Sequence, residues 1–134
     1  MDAETKTLIT KKMERAQEDL RFAKTLAAEK GYRQAISRAY YAIFAAASAA
    51  LLTQGITRKK HSGVEAAFNQ YLAHAGLVDR ELTVMYRDAF NARQDADYSD
   101  LIEFRAERAA EVLADAEAFV QHIEEFLRQQ NALE

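Results

Sequence analysis

A chain of 134 residues with no Cys is long enough to bury one core without covalent staples. The missing thiols remove disulfides, thiolate nucleophiles, iron–sulfur clusters and the commoner zinc sites, and fit a reducing cytoplasm. A formal net charge of −3 argues against broad, charge-driven binding to nucleic acid while leaving room for a local basic patch.

There is no Pro and there are only four Gly, so long helices meet almost no internal breakers. The expected class is all-α, a single domain over residues 1–134 built as an up-down antiparallel bundle of four to five helices. The first helix, from about residue 4 to 29, is amphipathic, with Ile9, Met13, Ala16, Leu20, Ala23 and Ala27 on one face. Gly31 is expected to end it in the left-handed conformation. The start Met1-Asp2-Ala3-Glu4 lacks the basic and apolar blocks of a secretory signal, and a cytoplasmic location is expected.

The second helix, about residues 32–54, is apolar nearly all round in its second half, from Ala42 to Leu52. A helix apolar on every side has neighbours on every side. Its Ala-rich window is shorter than the roughly 20 residues of a membrane span, so it reads as the central core helix, and its surplus apolar surface leads to the expectation of a homodimer. Gly55 closes it, and Arg58, Lys59, Lys60 and His61 make a basic connection. Ser62 and Glu65 form a capping-box pattern opening a third helix to about His74. Leu82, Met85 and Ala89 define a fourth helix ending near Arg93. Asp100 and Glu103 repeat the capping pattern, and the last helix follows with Ala109, Val112, Ala116, Phe119, Ile123 and Phe126 at steps of three and four.

Short connections predict alternating directions for successive helices, helix three opposing helix two and helix four opposing helix three. That topology puts the basic connection and the stretch 91–100 at one end of the bundle. Arg93, Asp95, Asp97 and Tyr98 gather there, at an expected break between two helices. Arg38, Tyr40 and Tyr41 fall near the opposite end and read as packing and dimer contacts. Other chemistries find no pattern. His122 with Glu125 reverses the Glu-x-x-His order of di-iron bundles. No phosphate-cradling Gly-rich loop or Gly-x-Ser-x-Gly exists. Glu81 and Asp88 offset Arg80 and Arg87 in the one stretch of helix-turn-helix length.

Three patterns occur in order: Arg38-Ala-Tyr-Tyr-Ala42, Lys60-His61-Ser62-Gly63 and Arg93-Gln-Asp-Ala-Asp-Tyr98. In that combination the chain resembles the small stand-alone HEPN proteins of bacteria and archaea, over most of its length. The resemblance implies a helical bundle that commonly dimerises and a partner role beside a minimal nucleotidyltransferase in a toxin–antitoxin module. It also implies a metal-independent ribonuclease site in which an Arg is followed, after four to six residues, by His, with no cofactor. Arg93 matches the Arg, but Tyr98 stands where the His would be, and no His lies between Asp95 and His122. In the family setting the partner can modify a tyrosine near this motif.

Cleavage of RNA through its 2′-hydroxyl needs a base, a phosphate stabiliser and a proton for the leaving oxygen. Arg93 is suited to the phosphate as a permanent planar donor. Tyr98 is a poor base, because an ordinary phenol pKa of ~10 lies about three units, or ~4 kcal/mol, above neutrality; it is suited to acid or stacking roles. His61, with an ordinary pKa of ~6.5, is the candidate to supply the missing imidazole. The candidate set is therefore Arg93, Tyr98 and His61 for chemistry and Lys60, Arg93, Asp97 and Tyr98 for RNA or nucleotide binding. The structural readings stand beside it: Arg93 pairing with Asp97, Tyr98 burying its ring, and His61 orienting the turn before Ser62. The alternative function is a non-catalytic helical dimerisation or protein-interaction module.

Overall fold

The computed structural model describes residues 1–134. Its elements are α1 (Ala3–Ala28), α2 (Tyr32–Leu52), α3 (His61–Phe68), α4 (Glu81–Tyr98) and α5 (Ala106–Gln129), with α3 continued by a π-helical turn over Asn69–Ala73. The Asp2 carboxylate opens α1 by accepting from the Thr5 N–H at 2.7 Å, which satisfies one of the orphan donors of a helix start. The residue in the left-handed region after α1 is Lys30, with φ 66°. Gly31 instead caps α2 with φ −84°.

Side-chain contacts fix the helix directions. Arg33, at the start of α2, donates to the carbonyl of Ala96 at 2.8 Å, so α2 and α4 are antiparallel. Arg108, early in α5, reaches Asp88 at 3.1 Å, and Thr7 in α1 donates to Glu134 at 2.6 Å, just past the end of α5. The four long helices therefore alternate up, down, up, down.

The short helix departs from the expected directions. His61 lies beside Tyr40, in the middle of α2, while Glu65, one turn later, bonds to Arg87. α3 thus descends alongside α2, and the connection 53–60 climbs back along the bundle instead of simply turning over. Helix four runs opposite to the expected sense in consequence. Glu65 does not complete a capping box: it is buried, and its Oε1 accepts from Arg87 at 2.6 Å. A charge-assisted bond inside the fold outcompetes a local cap at the surface.

The last boundary also moves. α4 continues to Tyr98, its final turn tied by the Arg93–Asp97 pair four residues apart. Residues 99–105 are non-helical, and α5 begins only at Ala106, not at Asp100. Arg33 explains the change. It takes the carbonyl of Ile102 as well as those of Asp95 and Ala96, and its guanidinium lies 5.3 Å from the Phe104 ring centroid. Those carbonyls are satisfied by a side chain instead of by a new helix.

α2 is the centre of the bundle. By length and composition alone it is apolar enough to cross a membrane, but 72% of that window is buried among the other helices. Ala35, Ala39, Ala42, Ala46, Ala49 and Ala50 are fully buried, and their small side chains let α1, α4 and α5 close on α2. The apolar surplus read from the sequence is thus absorbed within one chain.

A cluster of Phe68, Tyr86 and Phe119, with ring centroids 5.2–5.8 Å apart, joins α3, α4 and α5. The Tyr86 hydroxyl is buried without a hydrogen-bond partner. Tyr86→Phe should therefore be neutral or stabilising, within about 1 kcal/mol. A loss of more than about 2 kcal/mol on urea titration would show instead that this hydroxyl holds a bond.

Candidate functional site

Three elements converge on one polar and aromatic cluster. α2 contributes Tyr40, Tyr41 and Phe44, α3 contributes its first residue His61, and the last turns of α4 contribute Arg93, Asp97 and Tyr98. The spacing on α2 accounts for its share. Tyr40 and Phe44 are one turn apart on a face turned towards α3 and α4, and Tyr41 lies at the edge of that face.

Arg93 is the centre of the cluster. It is only 9% exposed, and its Nη2 donates to the Tyr41 hydroxyl at 3.0 Å. Its Nε lies 2.8 Å from Asp97 Oδ2, an ion-pair contact not aligned as a hydrogen bond. The guanidinium carbon sits 5.4, 5.5 and 5.6 Å from the ring centroids of Tyr40, Tyr41 and Tyr98, within cation–π range of all three. Burial works against the charge, but Tyr41, Asp97 and Tyr98 outweigh it and hold the guanidinium firmly protonated.

His61 sits in an aromatic box. Its ring centroid is 4.4 Å from that of Phe44, 5.6 Å from Tyr41 and 5.7 Å from Tyr40. Nδ1 is 3.2 Å from the Tyr40 hydroxyl, which fixes the ring and leaves Nε2 as the free nitrogen. Partial burial, reinforced by the positive charge of Arg93, lowers the His61 pKa. The imidazole is therefore neutral at neutral pH. Tyr40 is fully buried, and that burial pushes its phenol well above the usual range, so its hydroxyl stays protonated.

The structure thus unites Arg93, Asp97, Tyr98 and His61, the juxtaposition the sequence suggested, although the helices reach it by a different route. The cluster lies partway along the bundle instead of at its end. Tyr98 is 73% exposed, so its ring is not buried. Asp97 does pair with Arg93. Lys60 is exposed and forms no ion pair.

Tyr40 and Tyr41 are the correction. The sequence pattern sends them to the other end of the bundle, because it implies the wrong direction for helix four. They in fact join His61 to Arg93, one hydroxyl on each. The signal that marks them is a pair of tyrosines interrupting an otherwise Ala-rich helix face. Arg38, the third residue of that group, is elsewhere: it pairs with the largely buried Asp19 at 2.9 Å and covers the Phe22 ring.

A neutral imidazole with one free nitrogen beside a fixed guanidinium suits proton transfer next to an anion. Beside the cluster opens a concavity of about 590 Å³, lined among others by Ser37, Arg38, Tyr41 and Asp97. No three His, Asp or Glu side chains are grouped so as to hold a metal ion.

A family model described as the HEPN domain matches residues 10–126. A UPF0332 protein of Thermotoga maritima is 40% identical over 113 residues, covering 84% of this chain and 86% of its own. Two proteins of Methanocaldococcus jannaschii whose names mark them as candidate toxins are also similar. One is 38% identical over 117 residues, covering 87% of each chain. The other is 34% identical over 133 residues, covering 99% of this chain and 90% of its own.

Proposed function

This chain belongs to the HEPN family, and from that membership we propose that it is the toxin-type component of a two-component module, acting as a metal-independent endoribonuclease. The relatives named as candidate toxins support the first part. The observation that carries the second is the pairing of a neutral imidazole with a guanidinium through two adjacent tyrosines: Tyr40 on His61 at 3.2 Å and Tyr41 on Arg93 at 3.0 Å. It gives the chain an imidazole at the motif Arg although the motif itself lacks one.

In this reading Nδ1–H of His61 donates to the Tyr40 oxygen, and Nε2 takes the proton of the RNA 2′-hydroxyl. The 2′-oxygen attacks phosphorus, Arg93 stabilises the charge growing on the phosphoryl oxygens, and the bond to the 5′-oxygen breaks. The exposed Tyr98 hydroxyl gives its proton to that leaving oxygen and regains one from the imidazolium through solvent. The products are a 2′,3′-cyclic phosphate and a 5′-hydroxyl. Lys60 and Asp97 serve the RNA contact, Lys60 as a free cation and Asp97 by orienting Arg93. Homodimerisation, pairing with a nucleotidyltransferase and modification of Tyr98 by that partner belong to the same proposal.

Cleavage of a mixed RNA pool in excess EDTA tests it. Wild type should release cyclic-phosphate ends, and His61→Ala should lose at least about a hundredfold in rate. Full activity in His61→Ala removes His61 from the mechanism, and an inactive wild type favours the interaction-module alternative.

The pH dependence has a fixed sign. A base must be deprotonated, and the His61 pKa is lowered, so the rate should climb through a limb below the ordinary imidazole value of ~6.5 and level off above it. Removing the Arg93 charge in Arg93→Gln should raise the His61 pKa, read from the imidazole proton shifts by NMR. An unmoved titration would mean that the two groups are not electrostatically coupled.

A further inference from the structure

We infer that the face between α1 and α2 is a track for a single-stranded polynucleotide, leading to the Arg93–Tyr41 pair. Three concavities join along this face. The one beside Arg93's partner Asp97 shares Arg38 and Tyr41 with a second, which lies against Lys12 and Arg15 on α1. The second shares Lys12, Phe44 and Ser48 with a third, which ends at Arg58 and Lys59. From Ser37 to Leu52 along α2 the path covers about 22 Å at 1.5 Å per residue, enough for several nucleotides.

The charge of this face differs from that of the molecule. Lys12, Arg15, Arg58 and Lys59 form no ion pair, and Arg38, though paired with Asp19, keeps 43% of its side chain exposed. The two acids on the path, Asp19 and Asp97, are each already neutralised by an arginine. A chain of net charge −3 thus carries an unbalanced cationic strip along one groove.

The groove also offers rings. Tyr41 and Phe44 are half-buried along it. Cations spaced along a groove suit a repeating backbone phosphate, and aromatic rings between them suit stacked bases. Stacking requires bases free of a partner strand, which selects single strands over duplex. An acidic peptide would use the charges but not the rings.

The inference rests on the ribonuclease reading only for the course of the polymer past Arg93, and binding can be measured apart from cleavage. A fluorescein-labelled 2′-O-methyl oligouridine of about twelve nucleotides cannot undergo attack by its 2′-oxygen. Its anisotropy should rise with wild type, and the same strand annealed to its complement should bind more weakly. Lys12→Glu/Arg15→Glu and, at the other end of the groove, Arg58→Glu/Lys59→Glu should each weaken binding at least about tenfold. The slope of log K against log salt should become shallower by about 0.7 for each phosphate that a variant no longer neutralises.

Absence of wild-type binding, equal binding of duplex, or unchanged affinity in both folded variants overturns the track. A variant that alters sedimentation but not affinity does the same and assigns the face to a second copy of the chain. Groove-dependent binding without cleavage of ordinary RNA leaves the track standing and removes the ribonuclease reading.

Discussion

Arg93→Ala should abolish RNA cleavage, lowering kcat/KM by a factor of about 100 to 1,000 or more, the usual cost of removing one preorganised donor to a developing oxyanion. The side chain contacts Tyr41 through Nη2 and lies over three aromatic rings, so its position is set before substrate arrives. Arg93→Lys should not rescue the rate. An ammonium cannot present a planar fork held between Tyr41 and Asp97 while a second edge meets the phosphate.

Removing the cation–π interactions should cost up to about 2 kcal/mol, against a typical domain stability of about 5–15 kcal/mol. The Arg93→Ala protein should therefore stay helical by circular dichroism with a modestly lowered urea midpoint. A folded Arg93→Ala protein that keeps more than a tenth of wild-type activity would falsify the central role given to this residue.

The largest effect on stability is expected at Phe119→Ala, at about 3–5 kcal/mol. Phe119 is fully buried and packs on Phe68 and Tyr86 at 5.2 and 5.6 Å between ring centroids. Removing it opens a void where α5 meets α4 and the short helix, and the neighbouring rings are too tightly held to refill it. The loss is a large fraction of the whole stability, so the urea midpoint should fall steeply with little change in slope. A fall of less than about 1 kcal/mol would mean that the three helices close over the gap.

The same cluster underlies the site, because Tyr40 packs on Tyr86 at 6.3 Å and positions His61 in turn. Where Phe119→Ala remains folded at low temperature, its cleavage should fall less than that of Arg93→Ala, since it touches none of the reacting groups.

Much of this architecture was legible along the chain. The recurrence of Ile9, Met13 and Ala16 and of Val112, Ala116 and Phe119 marks buried faces, because a helix face is set by spacing alone. The Ala-rich run from Ala42 to Ala50 identified the central helix for the same reason. Arg93 and Tyr98 stood out because polar and aromatic groups were concentrated near the end of an amphipathic pattern. His61 stood out as the imidazole of the basic connection.

What the sequence left undecided is nonlocal. Arg33 captures carbonyls of Asp95, Ala96 and Ile102, and that tertiary contact keeps Asp100 from starting a helix that its local pattern favours. Glu65 abandons a cap for Arg87, far along the chain. The connection 53–60 turns back along the bundle, which reverses α3 and brings His61 to Tyr40 instead of to the end of the molecule. Hydrophobic period and capping residues determined that there are helices and which faces they bury, since both are properties of neighbours along the chain. Only the tertiary structure decided which way the short helix runs and that Tyr40 and Tyr41 stand between His61 and Arg93, because ion pairs and packing between distant residues choose among topologies that local patterns leave equal in energy.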